Sequence, residues 1–306
     1  MKKKSPKKLI LKIVISIILF IIIFQSINFS ELVSNFKQFN LIYFPLVFLL
    51  IVLNYVISSV RWKYLMVHQD DSNKVKIPYL TSLYFIGAFF NNFLPTSIGG
   101  DGYKFYRLGK KTGNMTNAFT STFMERFTGV IALVVISLLS LTQLLGIYGI
   151  GIFILFWFCV VCGLYFLKFI SKIKFKYEFL NKLISQITKI YQSIAEYKHH
   201  KKRIFWAIVT SFIVQILSVL SQYFVFYGLG VEIPFFYAFF SFPFIFLAGY
   251  AVPTFNGIGI QDYLYIELFS KVGVASELAL SASILYHLFR LSVSLIGGIL
   301  YVFERD

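Results

Sequence analysis

The sequence predicts an all-α integral membrane fold, with about six transmembrane helices and two re-entrant hairpins arranged as an inverted repeat. Three observations carry that prediction. Of 306 residues, 58% are hydrophobic and only 14% charged, against about 25% charged in a soluble domain. The apolar residues fall into long runs, each near the roughly 20 residues that a bilayer-spanning helix needs. Two shorter apolar stretches end in Pro- and Gly-containing motifs that resemble each other. The whole chain, 1–306, reads as a single polytopic membrane domain.

The first run, Leu9 to Ile27, follows the basic start MKKKSPKK. A signal peptide also starts with basic residues, but its apolar region is about 7–15 residues long and ends at small residues such as Ala-x-Ala. This run is longer and leads into QSINFSEL, so a retained helix is expected. Further spanning runs lie near 41–60, 127–147, 149–167, 204–228 and 276–302.

Lys and Arg concentrate in cytoplasmic loops of membrane proteins. Segment 61–78 holds Arg61, Lys63, Lys74 and Lys76, and 104–111 holds Lys104, Arg107, Lys110 and Lys111. Both flanks of the Tyr79–Leu94 stretch therefore read as cytoplasmic, and the stretch itself as a hairpin that enters and returns. The most basic loop, 168–203, fits the same side. Loops 28–40, 146–150 and 229–233 carry only Lys37, Glu31 and Glu232 and read as external. Pro234–Val252 then enters from outside, and both termini are expected in the cytoplasm of a plasma-membrane protein.

This topology absorbs most of the +16 formal charge, so no nucleic-acid partner is expected. Within 168–203, Phe179, Leu183, Ile187, Ile190 and Ile194 recur at helical spacing. That pattern suits an amphipathic helix on the inner leaflet, with a partner-binding helix as the alternative.

The repeat lies in LPTSIGGDGYKFYRLGKKTG and VPTFNGIGIQDYLYIELFSKVG. Each places Pro-Thr after an aromatic apolar stretch, then Gly residues, an Asp (Asp101, Asp262), a short helix-length piece and a long helix. The first unit spans about 79–147 and the second about 234–302. Gly/Pro-interrupted segments at matching places in two halves point to a midplane transport site. Irregular backbone persists at membrane depth only where protein or a water-filled cavity satisfies it, and helix ends at Pro95 and Pro253 would aim their dipoles there.

Ionisable residues in the apolar part mark where chemistry is expected. Arg290 lies midway along the last run, with His287 one turn before it. A central Arg costs about 2.5–3.5 kcal/mol on insertion scales, so it should face a cavity, a phosphate or an acidic partner, here Asp262, Glu267 or Glu125. It reads either as a bidentate phosphate clamp or as half of a structural ion pair. Glu125 and Arg126 are adjacent and point in different directions. Asn91 and Asn92 can cap a helix or bind substrate, while Arg61-Trp62 reads as a headgroup anchor. Cys159 and Cys162 lie in an apolar run without a nearby His and are assigned no chemistry.

No P-loop, HExxH or GxSxG occurs, and most loops are short, so no enzymatic activity, metal or cofactor is expected. The set RW at 61–62, NNFLPTSIGGDGYKFYRLG at 91–109, ERF at 125–127 and PTFNGIGIQD at 253–262, followed by Arg290, resembles the membrane region of lysylphosphatidylglycerol synthases, the flippase-like family 0104. In those synthases a cytoplasmic aminoacyl-transferase domain follows, and this chain, stopping at Asp306, is expected to lack it. The resemblance implies a substrate site at Asn92, Pro95, Gly99, Gly100, Asp101, Glu125, Arg126, Gly257, Gly259 and Arg290. Lys104 stands where an Arg is common. Lys104, Arg107, Asp262 and His287 complete the expected substrate-binding set.

The expected function is transport of a phosphate-containing, anionic lipid or lipid-linked saccharide between leaflets. The alternative is a non-catalytic membrane subunit that assists a separate glycosyl- or aminoacyl-transferase in cell-envelope lipid synthesis. A membrane-bound transferase ranks third.

Overall fold

The computed structural model describes residues 29–67, 72–93, 99–145, 147–170, 188, 191–251, 254 and 257–304. The expected first helix, most of the 168–203 segment, Pro95 and Pro253 lie outside the described residues. Among the described residues every regular element is helical. The α-helices in order are α1 (Phe29–Gln38), α2 (Tyr43–Tyr64), α3 (Ile77–Phe93), α4 (Gly99–Thr112), α5 (Met115–Leu145), α6 (Ile147–Ile170), α7 (Lys201–Gly228), α8 (Phe235–Ala251), α9 (Ile260–Ser270) and α10 (Ser276–Phe303), with a short 3-10 turn at Tyr197–His199 before α7. Among the described residues four stretches, Tyr43–Tyr64, Met115–Leu138, Lys201–Gly228 and Ser276–Phe303, are long and apolar enough to cross a membrane. The architecture is that of an all-α membrane protein.

α3 and α8 have 17 residues each, about 25 Å at 1.5 Å per residue, short of a ~30 Å hydrocarbon layer. Each pairs with the short helix after it. Asn91 Oδ1 accepts from Gly100 N at 2.8 Å, Gly87 faces the Lys104 side chain, and the Tyr79 hydroxyl donates to Arg107 O at 3.4 Å. Those contacts run in opposite chain directions, so α3 and α4 form an antiparallel hairpin. The second unit repeats it, with Gly249 against Gln261 and the Tyr237 hydroxyl donating to Leu268 O at 2.6 Å. The apolar run at 79–94 is therefore one limb of its hairpin. The charged motif is the returning limb, because α4 can bury its own small and basic face.

Close backbone approach holds the first hairpin. A methyl group on Gly100 would sit 1.9 Å from Gly87 O, and one on Gly297 of α10 would sit 1.9 Å from Phe85 O of α3. Small residues at such crossings let helix backbones touch, the main source of helix association where lipid is as apolar as the side chains. The long helix of each unit packs on the hairpin of the other, α10 on α3 and α5 on α8, while α2 runs along α7.

The two halves bury different chemistry. Beside α9 the core is aromatic, with Phe226 and Phe269 rings 4.6 Å apart and Phe242 and Phe269 rings 5.2 Å apart. Beside α4 it holds charges, Arg61, Lys104 and Glu125, each at most 5% exposed. Buried charges survive only when paired, and their partners define the site.

Candidate functional site

Glu125 is fully buried on α5 and takes the centre of the network. Its carboxylate accepts from the Arg61 guanidinium and the Tyr84 hydroxyl, and Lys104 Nζ approaches at 3.6 Å. Arg61 also donates to Ser211 Oγ at 3.0 Å. The headgroup role expected of Arg61-Trp62 is thus corrected: Arg61 is 5% exposed and Trp62 is fully buried. Nothing in the sequence separated this Arg from the ordinary interfacial kind, since it stands in the last turn of its helix.

Lys104 Nζ lies 3.0 Å from Asp101 and 4.0 Å from the centre of the Tyr84 ring, and Arg126 donates to Asp101 at 2.7 Å. Asp101 sits in the first turn of α4, where the helix dipole favours an anion. Adjacent Glu125 and Arg126 differ in burial, one buried under Arg61 and the other 39% exposed along its side chain, yet Arg126 Nε comes within 4.0 Å of Glu125 Oε2.

This network forms one wall of a cavity of about 670 Å³, within the range of small-ligand sites. Asn54, Ser58, Gln215, Ser218 and Ser221 supply a polar wall from α2 and α7. Arg290 enters from α10 between two rings, its Cζ 5.6 Å from the centre of Phe246 and 6.0 Å from that of Tyr286. Cation–π contact of this kind holds a guanidinium without neutralising it.

None of the acidic partners expected for Arg290 pairs with it. Asp262 binds Ser283 Oγ at 2.6 Å, Gly259 N at 2.8 Å and His287 Nε2 at 3.3 Å. Glu125 serves Arg61, and Glu267 is exposed. Arg290 makes no ion pair among the described residues, and its Nη1 is shielded from solvent without a hydrogen-bond partner.

Over residues 9–298 the sequence matches the family described as Lysylphosphatidylglycerol synthase TM region. The chain belongs to that family. It is also similar to the UPF0104 membrane protein PH1989 of Pyrococcus horikoshii, at 27% identity over 296 residues, covering 84% of this chain and 87% of the relative. No solved structure matches.

In this member of the lysylphosphatidylglycerol synthase TM-region family, Asn92, Asp101, Lys104, Arg126 and Arg290 line one cavity. Glu125 lies directly behind it, and Gly100 shapes it by admitting α3. Gly99 opens α4. The remaining positions stand apart. Arg107 pairs with Glu304 at 2.8 Å and so ties α4 to the end of α10. Gly257 and Gly259, at φ +84° and +92°, form the turn into α9, a conformation that suits Gly. Asp262 closes that turn, and His287 joins it to α10.

Proposed function

We propose that this chain moves a phosphate-bearing anionic lipid, or a lipid-linked saccharide, between the leaflets of the plasma membrane. The observation that carries the reading is Arg290, an Arg in the middle of an apolar helix that faces a 670 Å³ cavity with no carboxylate partner among the described residues. Four cations, Arg61, Lys104, Arg126 and Arg290, surround that space against two carboxylates, Asp101 and Glu125. An anion restores the balance, and Arg forks match phosphate oxygens two at a time.

The two units are proposed to be inverted repeats that exchange access to this cavity. The order of hairpin limb, short helix and long helix supports that reading. So does register, because α9 starts 161 residues after α4 and α10 starts 161 residues after α5. Inverted repeats around a midplane site suit alternating access. Charge distribution supports cytoplasmic termini, and the chain is proposed to carry out no covalent chemistry itself.

Leaflet-resolved assays with fluorescent and head-group-reducible anionic lipids in proteoliposomes test the function. Purified protein should accelerate translocation over protein-free vesicles, and Arg290→Lys should lose that acceleration. Translocation that stays at the protein-free rate would rule out a transporter and leave the accessory-subunit alternative.

A further inference from the structure

We propose that the cavity opens sideways into the bilayer and that its mouth seats the hydrocarbon chain of the bound lipid, with the lipid's phosphate at Arg126. This rests on the reading of the cavity as an anion site. Burial around the rim is one-sided. Toward α2 and α7 the lining is sealed, with Ile51 at 4%, Val214 at 8% and Ser221 at 1% exposure. Toward α5 and α8 the lining reaches the surface, with Phe119 at 38%, Phe123 at 44% and Tyr250 at 61%.

The open rim has the chemistry of a lipid rather than of a soluble anion. Phe119, Phe123 and Arg126 follow at spacings of four and three, so they share one face of α5. The Phe119 and Phe123 rings stack at 6.5 Å and 14°, and the ladder continues to Phe127 at 6.0 Å and 11°. Phe105 of α4, also in the lining, meets Phe119 edge-on at 5.8 Å. A methylene chain gains by covering such a strip, whereas a water-soluble phosphate does not.

Arg126 marks where the polar end sits. One nitrogen is spent on Asp101, and Nε lies 4.0 Å from Glu125 Oε2. The side chain is still 39% exposed, and a phosphate oxygen at the open rim would meet that exposed part. Lipid contact alone does not produce this arrangement. On α6 the residues Ile154, Leu155 and Phe158 are exposed and apolar, yet they do not line the cavity.

The test uses the full chain in nanodiscs of phosphatidylcholine with a minor fraction of phosphatidate, carrying photoreactive benzoylphenylalanine in place of Phe123. The same probe at Leu155 reports bulk lipid. Adducts at 123 should be enriched severalfold in phosphatidate over the bulk ratio, and adducts at 155 should match it. Arg126→Gln should return position 123 to the bulk ratio while the yield at 155 stays unchanged, and the protein should still fold because Lys104 remains 3.0 Å from Asp101. If the probe at 123 prevents folding, position 119 gives the same readout. A bulk ratio at these positions, or enrichment that survives Arg126→Gln, overturns the proposal. Transport with a bulk ratio at 123 would sink only the sideways seat, and enrichment without transport would sink only the transport reading.

Discussion

The guanidinium of Arg126 lies 2.7 Å from the Asp101 carboxylate and ties α5 to the hairpin limb 25 residues earlier. In the second unit Asp262 and His287 have the same separation and meet at 3.3 Å. His287, not Arg290, thus stands in register with Arg126. Arg290 falls one turn later, where the first unit has Gly129, which packs on Arg61.

The register predicts a transferable pH dependence. Arg keeps its charge across the physiological range, while His titrates within it. Arg126→His should therefore bind an anionic lipid probe at about pH 5.5, where imidazolium dominates, and lose roughly tenfold affinity by about pH 8. Affinity measured in detergent should stay flat over the same range for the native chain. A flat profile for the His variant would show that charge at this position does not govern binding.

Arg290 separates clamp from scaffold. Arg290→Lys keeps the charge and loses the fork, so translocation should drop while thermal stability holds. Because no carboxylate loses its partner, Arg290→Ala should unfold within about 1 kcal/mol of the native chain. A loss of about 3–5 kcal/mol would instead mark it as half of a structural pair.

Arg61 should behave in the opposite way. Arg61→Met leaves the fully buried Glu125 without its main partner, which should cost about 3–5 kcal/mol. Adding Glu125→Gln should recover most of that loss, since the unpaired charge is gone. Thermal unfolding of the four proteins in a double-mutant cycle measures the coupling, and additive losses would contradict it.

Gly100 and Gly102 differ by one constraint. Gly100→Ala drives a methyl group to 1.9 Å from Gly87 O, and overpacking of that kind should cost about 1–3 kcal/mol. Gly102→Ala, with nothing within 4 Å of its methyl group, should be neutral or stabilising by up to about 1 kcal/mol. Equal effects in an unfolding assay would contradict the close α3–α4 approach.

The re-entrant arrangement is tested by single-Cys labelling in a Cys159→Ser, Cys162→Ser background, since both native thiols are exposed on α6. A Cys at position 110 should react only with reagent on the cytoplasmic side. Labelling from outside alone would turn the hairpin into a crossing and remove the inverted relationship of the units.

Composition and run length determined the helical membrane class, because a backbone in lipid must satisfy its own hydrogen bonds. Run length also located α2, α7 and α10, while the Pro- and Gly-containing motifs marked the hairpin breaks and carried the family resemblance. The start of α5 was not legible. Its apolar run begins near 127, but the helix begins at Met115, since Thr120, Ser121 and Glu125 are buried against protein rather than lipid. Hydropathy sees only residues that face the bilayer.

Tertiary structure alone decided which charges pair. From the sequence, Arg61 was an anchor, and Arg290 was either a phosphate clamp or half of an ion pair. In the fold, Arg61 holds Glu125, and Arg290 faces the cavity without a carboxylate among the described residues. The reason is physical. Sequence records that a cation lies in an apolar helix and must find a partner, but the partner comes from whichever helix packs opposite, 150 residues away for Arg61 and Ser211 and 197 for Arg107 and Glu304. That distance in sequence is closed only by the packing of α2 on α7 and of each long helix on the other unit's hairpin.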